Sequence, residues 1–357
     1  MVLPHRRSLL RFRAADVGEM HSFRFFGTFA LMTVMTNSVP IHSEVSFHLG
    51  HCDEPNDSYT KAVRETLASF HINLSKGDYA SNGPLNAPDA QWNYDGQWVI
   101  GRDNFVRALQ TTVESFAKGL QARDYYQLVD GNVGATLFAL YGNQTGPFGE
   151  VPVTPGAHFN TMTGEVFVFN ERAESRALWT IDQQGRIAQQ LSGQAEVPSI
   201  DSIPASKVNP QTSSGYRAVL RRKMAMLHAN VNAGKPQANA FLATEDVAVI
   251  DNGRTTDGRP AFVEHAAARQ AGLGSFPDKI FHDDYIIADG KLGVVSSVWQ
   301  APQEKAYNGI EPVEGAQVRM REMLWFEFND DALITRVTAV YDEAVVEPQL
   351  RSKHLYP

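Results

Sequence analysis

The chain has 357 residues, 43% of them hydrophobic and 20% charged, enough for two domains with ordinary cores. Its formal net charge is −8, and it has no basic cluster beyond Arg221-Arg222-Lys223, which reads as a solvated helix face; this argues against nucleic acid as a partner. A single cysteine, Cys52, excludes an internal disulfide, and no zinc-like spacing of Cys and His occurs, so no structural metal is expected.

The first element is an apolar stretch from Phe25 to Met35, preceded by Arg6, Arg7, Arg11, Arg13 and Arg24. It falls short of the roughly 20 residues a membrane span needs and has the length of a signal-peptide core. Small residues from Ser38 to Ser43 offer a cleavage site, and Met20 offers a second start. The expectation is a leader over residues 1–53 and entry into the secretory pathway. A mitochondrial presequence is the alternative, disfavoured by Asp16 and Glu19, and a cytoplasmic location is the other. Three glycosylation sequons, at Asn56, Asn73 and Asn143, fit secretion without establishing it.

Next, Tyr59, Val63, Leu67, Phe70, Ile72 and Leu74 describe a helix ending at Lys76-Gly77, a cation and a C-cap glycine. Tyr216, Val219, Leu220, Met224, Leu227 and Val231 describe another, ending at Ala233-Gly234. The match continues at a constant offset of 157: Asp95-Gly96 answers Asn252-Gly253, Gly101-Arg102 answers Gly258-Arg259, and Phe105-Val106 answers Phe262-Val263. A second helix is expected in each half, from Asn104 to Leu120 and from Ala261 to about Ala271. Asp130-Gly131 and Asp289-Gly290 then mark hairpin turns at an offset of 159. Late strands are expected at Glu165 to Asn170, Ser175 to Ile181 and, past a turn at Gln183-Gln184-Gly185, Arg186 to Leu191. In the second half they are expected at Gln317 to Phe328 and Leu333 to Tyr341. Helices early and strands late predict α+β rather than parallel α/β. The chain therefore reads as an internal duplication, with domains at 54–193 and 215–346, a polar linker at 194–214 and a tail at 347–357.

This order of elements resembles the SnoaL-like polyketide cyclases of the NTF2-like superfamily. The resemblance is carried by the Gly-Arg-Xaa-Xaa-Phe helix starts, by Gly131-Asn132-Val133-Gly134-Ala135-Thr136, by Gly142 to Gly149, and by Gln184-Gly185-Arg186-Ile187 as the closing turn. It implies two tandem cone-shaped α+β barrels, each a curved antiparallel sheet wrapped on helices around an apolar pocket. The activity implied is cofactor-independent cyclisation, isomerisation or dehydration of an apolar small molecule of secondary metabolism by acid/base chemistry. The alternative is a non-catalytic binding protein with a degenerate pocket. The resemblance leaves open a homodimer or an internal pseudo-dimer; no stable membrane span is expected.

The family places an aspartate seven or eight positions before the glycine of the closing turn. Counting from Gly185 gives Leu178 or Ala177, and from Ala332 gives Trp325 or Leu324, so neither half shows that acid. Substitutes are sought in the second half. Alternation groups Glu322 with Leu324, Phe326 and Phe328 on the more apolar face. His282-Asp283-Asp284 opens a strand, with one acid of the pair expected inward, and His265 lies on the second helix. The catalytic candidates are Asp284, Glu322, His282 and His265. The binding candidates are Asp251, Trp299 and Phe326, with Tyr94 in the first half. Asp95, His158, Trp92, Trp98, Tyr125 and Tyr126 read as turn, loop and core residues.

Overall fold

A computed structural model describes residues 57–352 except 95–96, 117–118, 200–211, 252, 268–279 and 308. The leader, the sequon at Asn56, Cys52 and Asp95 lie outside the described residues.

The first half runs α1 (Asp57–Lys76), β1 (Asn86–Tyr94), β2 (Gln97–Ile100), α2 (Arg102–Val113), β3 (Gln121–Asp130), β4 (Val133–Asn143), β5 (His158–Phe169), β6 (Ser175–Ile181) and α3 (Gln184–Leu191). The second half repeats it: α4 (Ser214–Asn232), β7 (Ala243–Asp251), β8 (Arg254–Asp257), α5 (Arg259–Ala267), β9 (Ile280–Asp289), β10 (Leu292–Pro302), β11 (Gln317–Phe328), β12 (Ile334–Val340) and α6 (Val346–Ser352). The sheets have the same order, β2-β1-β6-β5-β4-β3 and β8-β7-β12-β11-β10-β9. All pairings are antiparallel except β1 with β6 and β7 with β12. Each sheet holds its long helix on one face, so the two expected α+β cups are present. No described helix is long and apolar enough to cross a membrane.

Helix α1 buries Val63, Leu67, Phe70 and Leu74, spaced three and four apart along one stripe. Ile72, which the sequence pattern includes, is exposed because it sits two residues, or about half a turn, from Phe70. The helix stops at Gly77, whose φ of 70° no β-carbon favours. The close approach of α1 to the sheet needs Gly134: a β-carbon there would meet Phe169 at 2.9 Å and Leu67 at 3.0 Å. Gly293 plays the same part under Met224 in the second half.

Three expectations about elements change. Arg186 to Leu191 is not a strand but lies within helix α3. The reason is visible at Gln190, whose side-chain amide takes the place of a strand's backbone: it accepts from the Asn160 N–H at 3.0 Å and donates to the Asn160 carbonyl at 3.1 Å. Gln349 of α6 makes the same pair with Arg319, and Val346 and Leu350 bury into the second core, so helix α6 is part of that fold. Second, α2 ends at Val113, followed by one 3-10 turn at Glu114–Phe116, rather than reaching Leu120. Third, the closing turn of the first half lies at Asn170 to Ala173. Asn170 accepts the N–H groups of Arg172 and Glu174 on its side chain, and Asn329 does so for Asp331 and Leu333. Ala173 and Ala332 take φ of 57° and 55°. An alanine in that region lacks the glycine signature by which such turns are found.

The outer faces of the sheets pack on each other through Tyr126, Leu128, Leu137 and Val166 from one half and Ile287, Val294, Met323 and Trp325 from the other. Two clasps cross the seam reciprocally. Arg64 of α1 pairs with Asp289, which also accepts the Val129 N–H at 3.0 Å. Arg221 of α4 pairs with Asp130 at 2.5 Å, which accepts the Ala288 N–H at 3.1 Å. Residues standing in equivalent places exchange roles, as across a two-fold axis. The two halves of the chain thus pack on each other through one apolar seam and two reciprocal ion pairs.

Candidate functional site: a polar belt inside each cup

In the second cup, β11 turns Val318, Met320, Glu322, Leu324, Phe326 and Phe328 inward, while Met323 and Trp325 face the other half. Asp283, Ser297 and Glu322 are register partners across β9, β10 and β11 and form one row. Helix α4 lowers His228 onto that row. Its Nδ1 bonds Asp283 at 2.5 Å, and its Nε2 lies 3.7 Å from Glu322. Its ring stacks on Phe281 with centroids 4.3 Å apart. Glu322 is fully buried and accepts from Ser297 at 3.5 Å.

The row continues across the sheet. Met323 pairs with Val340, so Tyr341 follows beside Glu322 at the end of β12. The Tyr341 hydroxyl donates to Asp251 at 2.7 Å, and His265 Nδ1 lies 3.2 Å from the other oxygen of Asp251. Burial raises the carboxyl of neighbouring Glu343, and the charge of Asp251 adds to the rise. Two histidine–aspartate pairs therefore belong to this cup: His228–Asp283, whose His228 Nε2 is 3.7 Å from Glu322, and His265–Asp251, on the far side of β12.

The first cup has a related belt. Asp124, Phe138 and Thr163 form the corresponding row. Helix α1 brings His71 onto Asp124 through Nδ1 and onto Glu165 through Nε2 at 3.2 Å. Burial would lower the His71 pKa, but hydrogen bonds to the two carboxylates and their charges outweigh it and raise it to about 10. Glu165 also accepts from Thr136 at 3.2 Å and Thr180 at 3.3 Å. At the far end the Tyr94 hydroxyl donates to Asp182 at 2.6 Å. Tyr94 and Asp182 stand where the second cup has Asp251 and Tyr341: the hydrogen bond is kept and its two ends are exchanged.

Of the candidates read from sequence, Glu322, His265, Asp251, Trp299 and Phe326 meet in the second cup, with Trp299 and Phe326 buried in its core. Tyr94 is in the first. His282 and Asp284 do not join them. A bulge between Asp283 and Tyr285 turns Asp283 inward and Asp284 outward. Asp284 pairs instead with Arg321 at 2.5 Å. The His282 side chain is 82% exposed and lines a groove of about 290 Å³ with Val298, Gln300 and Arg319. His158 is exposed at the start of β5, while Trp92 and the Tyr125–Tyr126 pair are buried in the core and in the seam.

Sequence reasoning singled out none of His71, His228, Asp124 and Glu165, and of the Asp283-Asp284 pair, one of which it expected inward, it chose Asp284 where the structure turns Asp283 in. The signal for four of them was present: His71 and His228 stand at the repeat offset of 157, and Asp124 and Asp283 at 159. Glu165 was missed because the closing turn was misplaced. Counting eight back from Ala173 rather than Gly185 reaches Glu165, so the first half does carry an acid at the place where the resemblance expects one.

No family model matches the sequence, and no curated protein matches it. Solved structures do. The chain is similar to IdmH of Streptomyces antibioticus, a "putative polyketide cyclase", at 22% identity over 36% of this chain and 98% of that one, with a TM-score of 0.33. It is similar to a "putative polyketide cyclase" of Xanthomonas campestris at 18% identity, 37% and 98% coverage and a TM-score of 0.34. It is similar to a "putative ketosteroid isomerase" of Kribbella flavida at 18% identity, 36% and 80% coverage and a TM-score of 0.27. Each match covers 36–37% of this chain. The assignment of two tandem cups stands on the sheet order and the repeat.

Proposed function

We propose that the protein performs cofactor-independent acid–base chemistry on an apolar small molecule: cyclisation, isomerisation or dehydration next to a carbonyl, in the second cup. One observation carries this reading: buried Glu322 shares one apolar cup with two histidine–aspartate pairs and lies 3.7 Å from the nearer histidine, His228. A carboxylate there can remove a proton from a carbon beside a carbonyl. A histidine, or the Tyr341 hydroxyl, can give one to the oxygen where charge develops, and reverse transfers restore both groups. The first cup holds one histidine, already between two carboxylates; Ala108 stands where the second cup has His265. The second cup alone thus offers two histidines for two proton positions.

The test is deuterium exchange at carbons adjacent to the carbonyl in a panel of cyclic ketones. The parent protein accelerates exchange for some member, and Glu322→Gln lowers that rate on the order of 100-fold or more while affinity holds. Glu165→Gln retains the rate. Binding without any accelerated exchange would select the non-catalytic alternative, and loss in Glu165→Gln alone would move the chemistry to the first cup.

A further inference from the structure

The two sheets end in equivalent edge strands with unlike surfaces. β2 reads Gln-Trp-Val-Ile, and β8, at an offset of 157, reads Arg-Thr-Thr-Asp. Each lies last in its sheet, and among the described residues no strand pairs with its outer side. Alternation sends Val99 to the first core and turns Trp98 and Ile100 to the outer face, where they are 40% and 59% exposed. β8 has Thr255 and Asp257 at these places. Polar and charged side chains guard an open edge against pairing, and apolar ones leave it open to pairing. The fold requires neither Trp98 nor Ile100, because the second half builds the same edge without them.

The backbone of β2 is set for a further strand. The Gly101 N–H bonds the Ala90 carbonyl at 2.7 Å, so by antiparallel alternation Val99 turns its polar groups to β1, while Trp98 and Ile100 turn theirs to the open edge. The Ile100 carbonyl accepts from Asn104 on that side at 2.8 Å. The apolar face also runs on into the seam. Trp98 stands edge-on to Trp179 with ring centroids 6.1 Å apart, and Trp179 lies 5.1 Å from Tyr285 of the other half. Trp179 and Tyr285 both pack on the seam.

We propose that the open edge of β2 pairs with β2 of a second copy of this chain, antiparallel about a two-fold axis through Val99, so that the two first-half sheets become one. An antiparallel edge is its own partner under such an axis. The outward backbone groups of Trp98 then meet those of Ile100 in the second copy. The two side chains stay on one face, an aromatic ring beside a β-branched residue. Continuity and charge select this occupant. The seam covers one end of the aromatic row, and a second copy brings matching apolar side chains to its open end. Each copy carries a net charge of −8, so two copies approach most easily where no charge stands. Gln97 to Ile100 carries none, whereas β8 carries Arg254 and Asp257.

The experiment is analytical ultracentrifugation of the full chain over about 1–100 µM, the range suited to an interface of one short strand and its aromatic flank. The parent chain is expected to pass from monomer to dimer across it. The double variant Trp98→Thr, Ile100→Asp gives β2 the residues that the second half already carries and should raise the dimer dissociation constant ~30-fold or more. Ile100→Pro removes an N–H that the β1–β2 ladder does not use and should weaken the dimer likewise. Phe241→Ser removes an apolar side chain that is 83% exposed elsewhere and should leave the dimer intact. A parent chain that stays monomeric, a dimer that survives either β2 variant, or a dimer lost in Phe241→Ser would each overturn the proposal.

Discussion

The two cups are built from the same parts in the same order, yet their central acids sit two residues apart on equivalent strands. Glu165 stands where the second cup has Leu324, and Glu322 stands where the first has Thr163. Both nevertheless meet the histidine that the long helix lowers onto the sheet. The histidine–aspartate pair is the constant and the third group is variable, because a strand offers an inward position every second residue and an imidazole reaches more than one of them. Both cups hold this histidine between two acids, the first more tightly: Nε2 lies 3.2 Å from Glu165 against 3.7 Å from Glu322. The second extends its belt to another histidine.

The largest effect that tests this contrast is His71→Leu. It leaves two carboxylates facing each other in the buried belt and should cost ~3–5 kcal/mol of stability, measured by denaturant unfolding. A cost below about 1 kcal/mol would remove the charged lock from the description of the first cup.

Next come the crossed clasps. Asp289 has a side chain 4% exposed, whereas Asp130 is 17% exposed. Arg64→Met should therefore cost ~2–3 kcal/mol and Arg221→Met about half as much. Equal or inverted shifts in melting temperature would show that burial of the acid does not set the strength of the clasp.

The pH dependence has two windows. Burial pushes the Asp342 carboxyl up to about 7. A folded pKa above the unfolded one means that stability is fully present at low pH and falls as pH rises, here between about 3.8 and 7. His71 has the same sign at higher pH: its contribution is full below 6.5 and is lost on the way to about 10. Asp342→Asn should flatten the first slope and leave the second, seen in urea midpoints across this range. Retention of the acid-side slope would place its origin in another carboxyl.

The smallest effects concern the closing helices. Gln190→Ala and Gln349→Ala should each lower stability by ~1 kcal/mol, the worth of an ordinary buried hydrogen-bonded pair. Markedly unequal losses would show that α3 and α6 are not docked alike.

The duplication, the long helices, the hairpins and the inward face of β11 were legible because each follows from local chemistry: helical spacing, turn residues and strand alternation. That is why Glu322, Asp251, His265, Trp299 and Phe326 could be named from the sequence. A bulge displaced Asp284, and only the pairing of β9 with β10 creates that bulge. The helix at Gln184–Leu191 read as a strand because its docking group is one glutamine side chain that imitates a strand's backbone.

The sequence by itself determined that there are two cups and which strand faces are apolar, since period and spacing are written in consecutive residues. Tertiary structure decided which acid meets which histidine, which turn closes the first sheet and how the halves clasp, because those facts depend on side chains 53 to 225 positions apart arriving at one place. No local pattern encodes that meeting. Packing the long helix against the sheet does.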